Sequence, residues 1–122
     1  MNQLVDKPLS INDILAMKRK GEKITCLTAY DASFAAIMDQ VGIDILLVGD
    51  SLGMVVQGHS TTLPVTIADM VYHTRFVSKS RQRAYVIADM PFMTYSSPEL
   101  AANNAAQLLQ AGGAQMVKLE GA

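Results

Sequence analysis

Ile45-Leu46-Leu47-Val48, followed at once by Gly49-Asp50, is an unbroken apolar run that ends in an acid. A strand that is apolar on both faces is what a parallel sheet covered on both sides requires. The same unit recurs on either side of it. Upstream, Ile24-Thr25-Cys26-Leu27-Thr28 reads as a strand, and Asp31 caps a helix that runs through Val41, with Gly42 past its end. Earlier still, Ser10 caps a first helix over residues 10–20, with Asp13 in its first turn and Ile11, Ile14, Leu15 and Met17 on one face. Lys18-Arg19-Lys20 suits the negative end of that helix dipole, and Gly21 stops it.

Downstream, residues 50–64 read as a long loop without a period. Thr66 then caps a helix, with Asp69 in capping-box spacing, that runs to about Ser78. Ala84-Tyr85-Val86-Ile87-Ala88 is the third strand. Ser97-Pro98-Glu99 starts a helix that carries Leu100, Ala101, Ala105, Leu108 and Leu109 and stops at Gly112-Gly113. Gln115-Met116-Val117-Lys118-Leu119 is the fourth strand. A helix followed by β-α-β-α-β-α-β implies right-handed crossovers and a parallel sheet, so the fold class is α/β. A (β/α)8 barrel takes about 250 residues; these 122 residues supply the first four strands, a half-barrel forming a single partial domain over 1–122.

Composition narrows the function. Half the residues are hydrophobic and 17% are charged, which excludes a disordered tail. Ten Lys+Arg against eleven Asp+Glu leave a formal charge of −1, with no footprint for nucleic acid or an anionic membrane. Cys26 is the sole cysteine, so an internal disulfide and a thiolate metal cluster are excluded, and a reducing compartment is suggested. Residues 1–8 hold no apolar signal region, and residues 41–49, interrupted by Asp44, are too short to span a bilayer. The expectation is a cytoplasmic globular chain.

Three strands end alike: Val48-Gly49-Asp50, Ile87-Ala88-Asp89 and Lys118-Leu119-Glu120. Strand C-termini of a parallel sheet share one edge, where α/β proteins place their sites. Converging carboxylates repel unless a cation lies between them. With no Cys or His at matching positions, a hard divalent ion such as Mg²⁺ fits better than zinc. Lys118 shares a face with Glu120, and an ammonium there suits an anionic substrate or an enolate. One acid after a strand is ordinarily a loop residue or a cap; it is the shared offset that speaks for a site. Asp31 reads as a cap, Asp69 and His73 as a helix-face pair, His59 as a lid or solvated residue, Gly53 and Gly58 as turn glycines, and the eight Met residues as core filler.

Thr28-Ala29-Tyr30-Asp31, Leu47-Val48-Gly49-Asp50-Ser51-Leu52-Gly53-Met54, Gln57-Gly58-His59, Thr62-Leu63-Pro64-Val65-Thr66, Asp69-Met70-Val71-Tyr72-His73-Thr74, Ala88-Asp89-Met90-Pro91-Phe92-Met93 and Met116-Val117-Lys118-Leu119-Glu120-Gly121 occur in this order. Together they resemble the N-terminal half of the ketopantoate hydroxymethyltransferase family. The resemblance implies a (β/α)8 barrel that moves a one-carbon unit from 5,10-methylenetetrahydrofolate to 3-methyl-2-oxobutanoate, giving 2-dehydropantoate for pantothenate and coenzyme A biosynthesis. By position it implies Asp50, Asp89 and Glu120 as Mg²⁺ ligands, and Asp50, Ser51, Asp89 and Lys118 as the oxoacid-binding residues. It makes the helix at 10–20 a plug for the barrel bottom and the protein a cytoplasmic homo-oligomer. The family's general base is a glutamate of the other half, so no catalytic base is assigned here, and poor turnover by this chain alone is expected. Two other readings stand: a Mg²⁺-dependent 2-oxoacid lyase or mutase of the phosphoenolpyruvate-type barrels, and a half-barrel remnant without chemistry. The loop words Gly49-Asp50-Ser51-Leu52-Gly53 and Gln57-Gly58-His59 favour the transferase.

Overall fold

A computed structural model describes residues 7–121; residues 1–6, on which most of the reading of no signal peptide over residues 1–8 rests, and Ala122 lie outside the described residues. The elements run α1 (Ile11–Arg19), β1 (Cys26–Thr28), α2 (Ala32–Gln40), β2 (Ile45–Val48), α3 (Leu52–Val55), α4 (Ile67–Ser80), β3 (Tyr85–Asp89), α5 (Pro98–Gln110) and β4 (Met116–Lys118). The strands form one sheet in the order β1-β2-β3-β4. All neighbours are parallel, with Leu46 opposite Val86, Val48 opposite Ala88, and Asp89 opposite Lys118. No described helix is long and apolar enough to cross a membrane.

The helix starts follow the side chains that cap them. Ser10 and Asp13 close a reciprocal capping box on α1, as do Thr66 and Asp69 on α4. Asp31 Oδ1 accepts from the Phe34 N–H at 2.8 Å to open α2. Ser97 caps α5, with proline in the first turn where no N–H is needed. Each such cap is worth about 1 kcal/mol.

One apolar cluster joins Leu46, Val48, Val86 and Ala88 of the sheet to Ala35 of α2, Met70 and Val77 of α4 and Leu108 of α5. The opposite row is mixed: Tyr85 and Asp89 are buried, while Ile45, Leu47 and Ile87 are half-buried. Helices on one face and a row of inward side chains on the other are the arrangement of a barrel wall. Edge strand β1 is exposed throughout.

Two expectations change. The loop at 50–64 contains α3, a single turn too short for any period; it is held because Leu52 and Gly53 are buried. A Cβ on Gly53 would stand 2.5 Å from Val65 Cγ2, so this close approach requires glycine. The methionines are not uniformly core: among the described residues Met70 and Met90 are buried, while Met54, Met93 and Met116 are exposed.

The amino-terminal edge of the sheet is closed by paired polar groups. Asp39, near the end of α2, accepts from the N–H groups of Gln82, Arg83 and Ala84 at 2.8, 3.0 and 2.7 Å. Buried Asp44 accepts from Thr25 N–H and Oγ1 at 2.9 Å each and pairs with Arg83 Nη2 at 2.8 Å. Burial alone would raise the Asp44 pKa; the bonds from the Thr25 N–H, the Arg83 guanidinium and the Thr25 hydroxyl outweigh it and hold the carboxyl below its ordinary range. Gln115 accepts from Val86 N–H at 3.1 Å and donates to Leu9 O at 2.7 Å, while Leu9 N–H donates to Arg83 O at 2.7 Å. The approach to α1 is thus anchored at this edge, although α1 itself buries no residue fully.

Candidate active site at the carboxyl edge of the sheet

Each strand delivers a polar side chain to the opposite edge. Tyr30 stands two residues past β1, Asp50 two past β2, Asp89 at the end of β3, and Lys118 and Glu120 at and two past the end of β4. Asp50, Asp89 and Glu120 line one cavity of about 380 Å³, together with Thr62, Phe92 and Tyr95.

Asp89 is the pivot. Its carboxylate is buried, Oδ2 accepts from the Asp50 N–H at 3.0 Å, and Oδ1 lies 3.2 Å from Lys118 Nζ. That contact is an ion pair only; no hydrogen bond reaches the buried Oδ1. Lys118 also donates to Glu120 Oε2 at 3.0 Å, and Glu120 is largely exposed. The Glu120 bond, with Asp89 adding to it, raises the Lys118 pKa despite partial burial. The Asp50 carboxyl is pushed up by burial and then by the neighbouring Asp89 charge, with Thr62 working against the shift.

Ser51 does not line the cavity. Its Oγ shares a 2.7 Å hydrogen bond with Tyr30 Oη, and a Cβ on Gly49 would come within 2.9 Å of that Oγ and 3.4 Å of Asp89 Oδ2. His73 does not pair with Asp69: its Nδ1 lies 2.7 Å from Tyr30 O, and Asp69 is spent on the cap of α4. His59 is exposed on the loop, and Asp31 is a cap. Tyr30 and Tyr95 were not singled out from the sequence. The offset that marks Asp50, two residues after a strand, marks Tyr30 as well. Tyr95, whose hydroxyl donates to Glu120 O, carries no such signal.

Among the described residues no three acidic, His or Cys side chains stand ready around one point to hold a metal ion. The convergence expected of Asp50, Asp89 and Glu120 is that of a shared cavity, because the Lys118 ammonium occupies the space between Asp89 and Glu120. The donors nevertheless fit a divalent cation. Three carboxylates against one ammonium leave two negative charges, all the donors are oxygens, and Asp89 Oδ1 has no hydrogen bond.

A family model described as ketopantoate hydroxymethyltransferase matches residues 8–122. The 3-methyl-2-oxobutanoate hydroxymethyltransferase of Methylococcus capsulatus is 60% identical over 114 residues, which cover 93% of this chain and 42% of that protein. The enzyme of the same name from Shewanella frigidimarina is 64% identical over 108 residues, 88% of this chain and 40% of that one. The chain thus spans about two fifths of the length of these curated relatives. Among solved structures, oxaloacetate acetylhydrolase with the inhibitor 3,3-difluorooxalacetate superposes with a TM-score of 0.67 at 18% identity, over 83% of this chain and 34% of that one. A 2,3-dimethylmalate lyase, a PEP mutase/isocitrate lyase superfamily member, gives 0.65 at 21% identity, over 84% and 34%. At such identities the likeness is one of fold: this chain is half of a barrel of that type.

Proposed function

The chain belongs to the ketopantoate hydroxymethyltransferase family, and from that premise we propose that its carboxyl edge is the metal and oxoacid half of a 3-methyl-2-oxobutanoate hydroxymethyltransferase site. The observation that carries the reading is the gathering of Asp50, Asp89 and Glu120 in one cavity beside Lys118.

In this reading Asp50, Asp89 and Glu120 hold Mg²⁺. Bound there, the ion would supply Lewis acidity toward a 2-oxoacid in the cavity. Lys118 Nζ offers a fixed positive charge to the oxoacid oxygen on which negative charge grows. Ser51, held by Tyr30, steers the oxoacid carboxylate. Asp89 fixes the geometry of both neighbours, since one oxygen takes the Asp50 N–H and the other faces Lys118. The one-carbon donor is 5,10-methylenetetrahydrofolate: its methylene carbon bonds to C3 as the C3 proton leaves, both of its carbon–nitrogen bonds break to release tetrahydrofolate, and water supplies the product's hydroxyl. By the family's pattern the base that removes the C3 proton is a glutamate outside these residues, so the roles assigned here are binding and charge stabilisation, and poor turnover by these 122 residues alone is the expectation. The place in pantothenate and coenzyme A biosynthesis, the cytoplasmic location, the homo-oligomeric state and the role of α1 as a barrel plug belong to the same proposal and rest on the family.

Calorimetric titration of the 122-residue chain with Mg²⁺ and then 3-methyl-2-oxobutanoate tests it. Binding of the oxoacid that depends on the metal, lost by tenfold or more in Asp89→Asn, is expected. No binding, or binding indifferent to Asp89→Asn, would overturn the site. Robust 2-dehydropantoate formation by the verified 122-residue chain would overturn the placement of the base.

A further inference from the structure

Met93 is the single residue other than glycine with a positive φ among the described residues, at 65°. A side chain in that region is strained, and such strain persists only where the surroundings over-determine it. Here they do. Pro91 before it is fully buried. Its carbonyl accepts from Thr94 N–H at 3.1 Å and from Thr94 Oγ1 at 2.6 Å. Thr94 O in turn accepts from Nδ2 of buried Asn104 on α5 at 2.8 Å. The outcome of this locking is not a buried core contact: Phe92 and Met93 remain 56% and 59% exposed. Phe92 lines the carboxylate cavity and also a second cavity of about 550 Å³ beside it, where Met93 joins it and which Glu120 and Tyr95 also border.

A loop that spends strain to hold two apolar side chains out of the core, at the rim of a polar cavity, is built to display them. We propose that Phe92 and Met93 form the apolar wall that receives the alkyl end of the 2-oxoacid, and so set its preference for a branched chain over a short one. The inference rests on the oxoacid reading of the carboxylate cavity. That cavity recognises the carboxylate and keto oxygens common to all 2-oxoacids. Discrimination among them therefore has to come from apolar surface next to it, and Phe92, which with Tyr95 and Glu120 lines both cavities, carries that surface from one into the other.

The test is titration of the full chain, in saturating Mg²⁺, with pyruvate, 2-oxobutanoate and 3-methyl-2-oxobutanoate. Each buried methylene-sized group tightens binding by roughly three- to fourfold, so the branched acid should bind about tenfold more tightly than pyruvate. Phe92→Ala should bring that ratio below about threefold. Met93→Gly, which suits the positive φ, should lower the ratio too while its Tm stays level or rises, separating display from folding. If all three acids bind and the ratio survives in both variants, or is absent from the unaltered chain, the alkyl wall is wrong and the oxoacid site stands. If none binds, the oxoacid reading itself fails and the wall falls with it.

Discussion

The two edges of the sheet carry similar residues and treat them oppositely. At the amino-terminal edge Asp39 takes three backbone N–H groups, and Asp44 takes Thr25 twice and Arg83 once. At the carboxyl-terminal edge three carboxylates line one cavity, one lysine pairs with two of them, Asp89 and Glu120, and Asp89 Oδ1 accepts no hydrogen bond. Both edges bury charge, which is costly unless each charge is answered. One edge answers every carboxylate from within the chain and thereby locks strand to strand. The other leaves negative charge for something outside the chain to answer. The pKa directions agree: Asp44 is held below its ordinary range by its partners, and Asp50 is pushed above it by burial and by Asp89.

The contrast is broken most easily at the amino edge. Asp44→Ala strands Arg83 and Thr25 and should cost about 3 kcal/mol in urea unfolding; a loss under about 1 kcal/mol would deny that this edge is structural. Gly49→Ala comes next. The added methyl meets Ser51 Oγ at 2.9 Å, and the shift it forces should cost about 1–3 kcal/mol and weaken oxoacid binding, read by the same unfolding curves and by calorimetry. Tyr30→Phe removes the bond to Ser51, with an expected cost of about 1 kcal/mol or less in stability; weaker oxoacid affinity at unchanged Mg²⁺ affinity is the sharper readout.

The smallest effect has the opposite sign. Asp50→Asn should stabilise the chain at neutral pH by less than about 1 kcal/mol, since the site is part-exposed and screened. The pH dependence separates the edges. A carboxyl whose folded pKa is raised binds its proton more readily folded than unfolded, so the penalty at Asp50 is present at neutral pH and relieved as pH falls through its folded pKa. A carboxyl whose folded pKa is lowered stabilises above its unfolded pKa, and that stability is lost as pH falls through the folded value. On acidification Asp50→Asn should therefore lose its advantage first, and Asp44→Ala should lose its disadvantage at lower pH. Equal unfolding curves for the two variants across that window would erase the distinction between the edges.

Much of this was legible locally. Ser10, Asp31, Thr66 and Ser97 announce their helices because a cap is written within three or four residues. The strand-end acids were visible because a parallel sheet gives a fixed offset a meaning in space. What could not be read depends on partners far along the chain. Asp44 looked like a blemish in an apolar run, and its role needs Thr25 and Arg83. His73 stood four residues from Asp69 on one helix, yet its nitrogen went to the Tyr30 carbonyl, brought there by the packing of α2 on α4. The α3 turn is held by burial of Leu52 rather than by a pattern, and its cap residue has its hydroxyl committed to Tyr30. The positive φ at Met93 gave no warning, because the usual warning is a glycine.

The Gln115 amide has a consequence in time. It joins the strand start at Val86 to the carbonyl of Leu9, across 106 residues of chain. Translation proceeds at about 5–20 residues per second, so Leu9 leaves the ribosome roughly 5–20 s before its partner has been made. The segment leading into the first helix is made early, its bond to the Arg83 carbonyl can form only when the start of β3 has been reached, and the Gln115 bond comes last, so this edge is fastened in two stages as the chain is made.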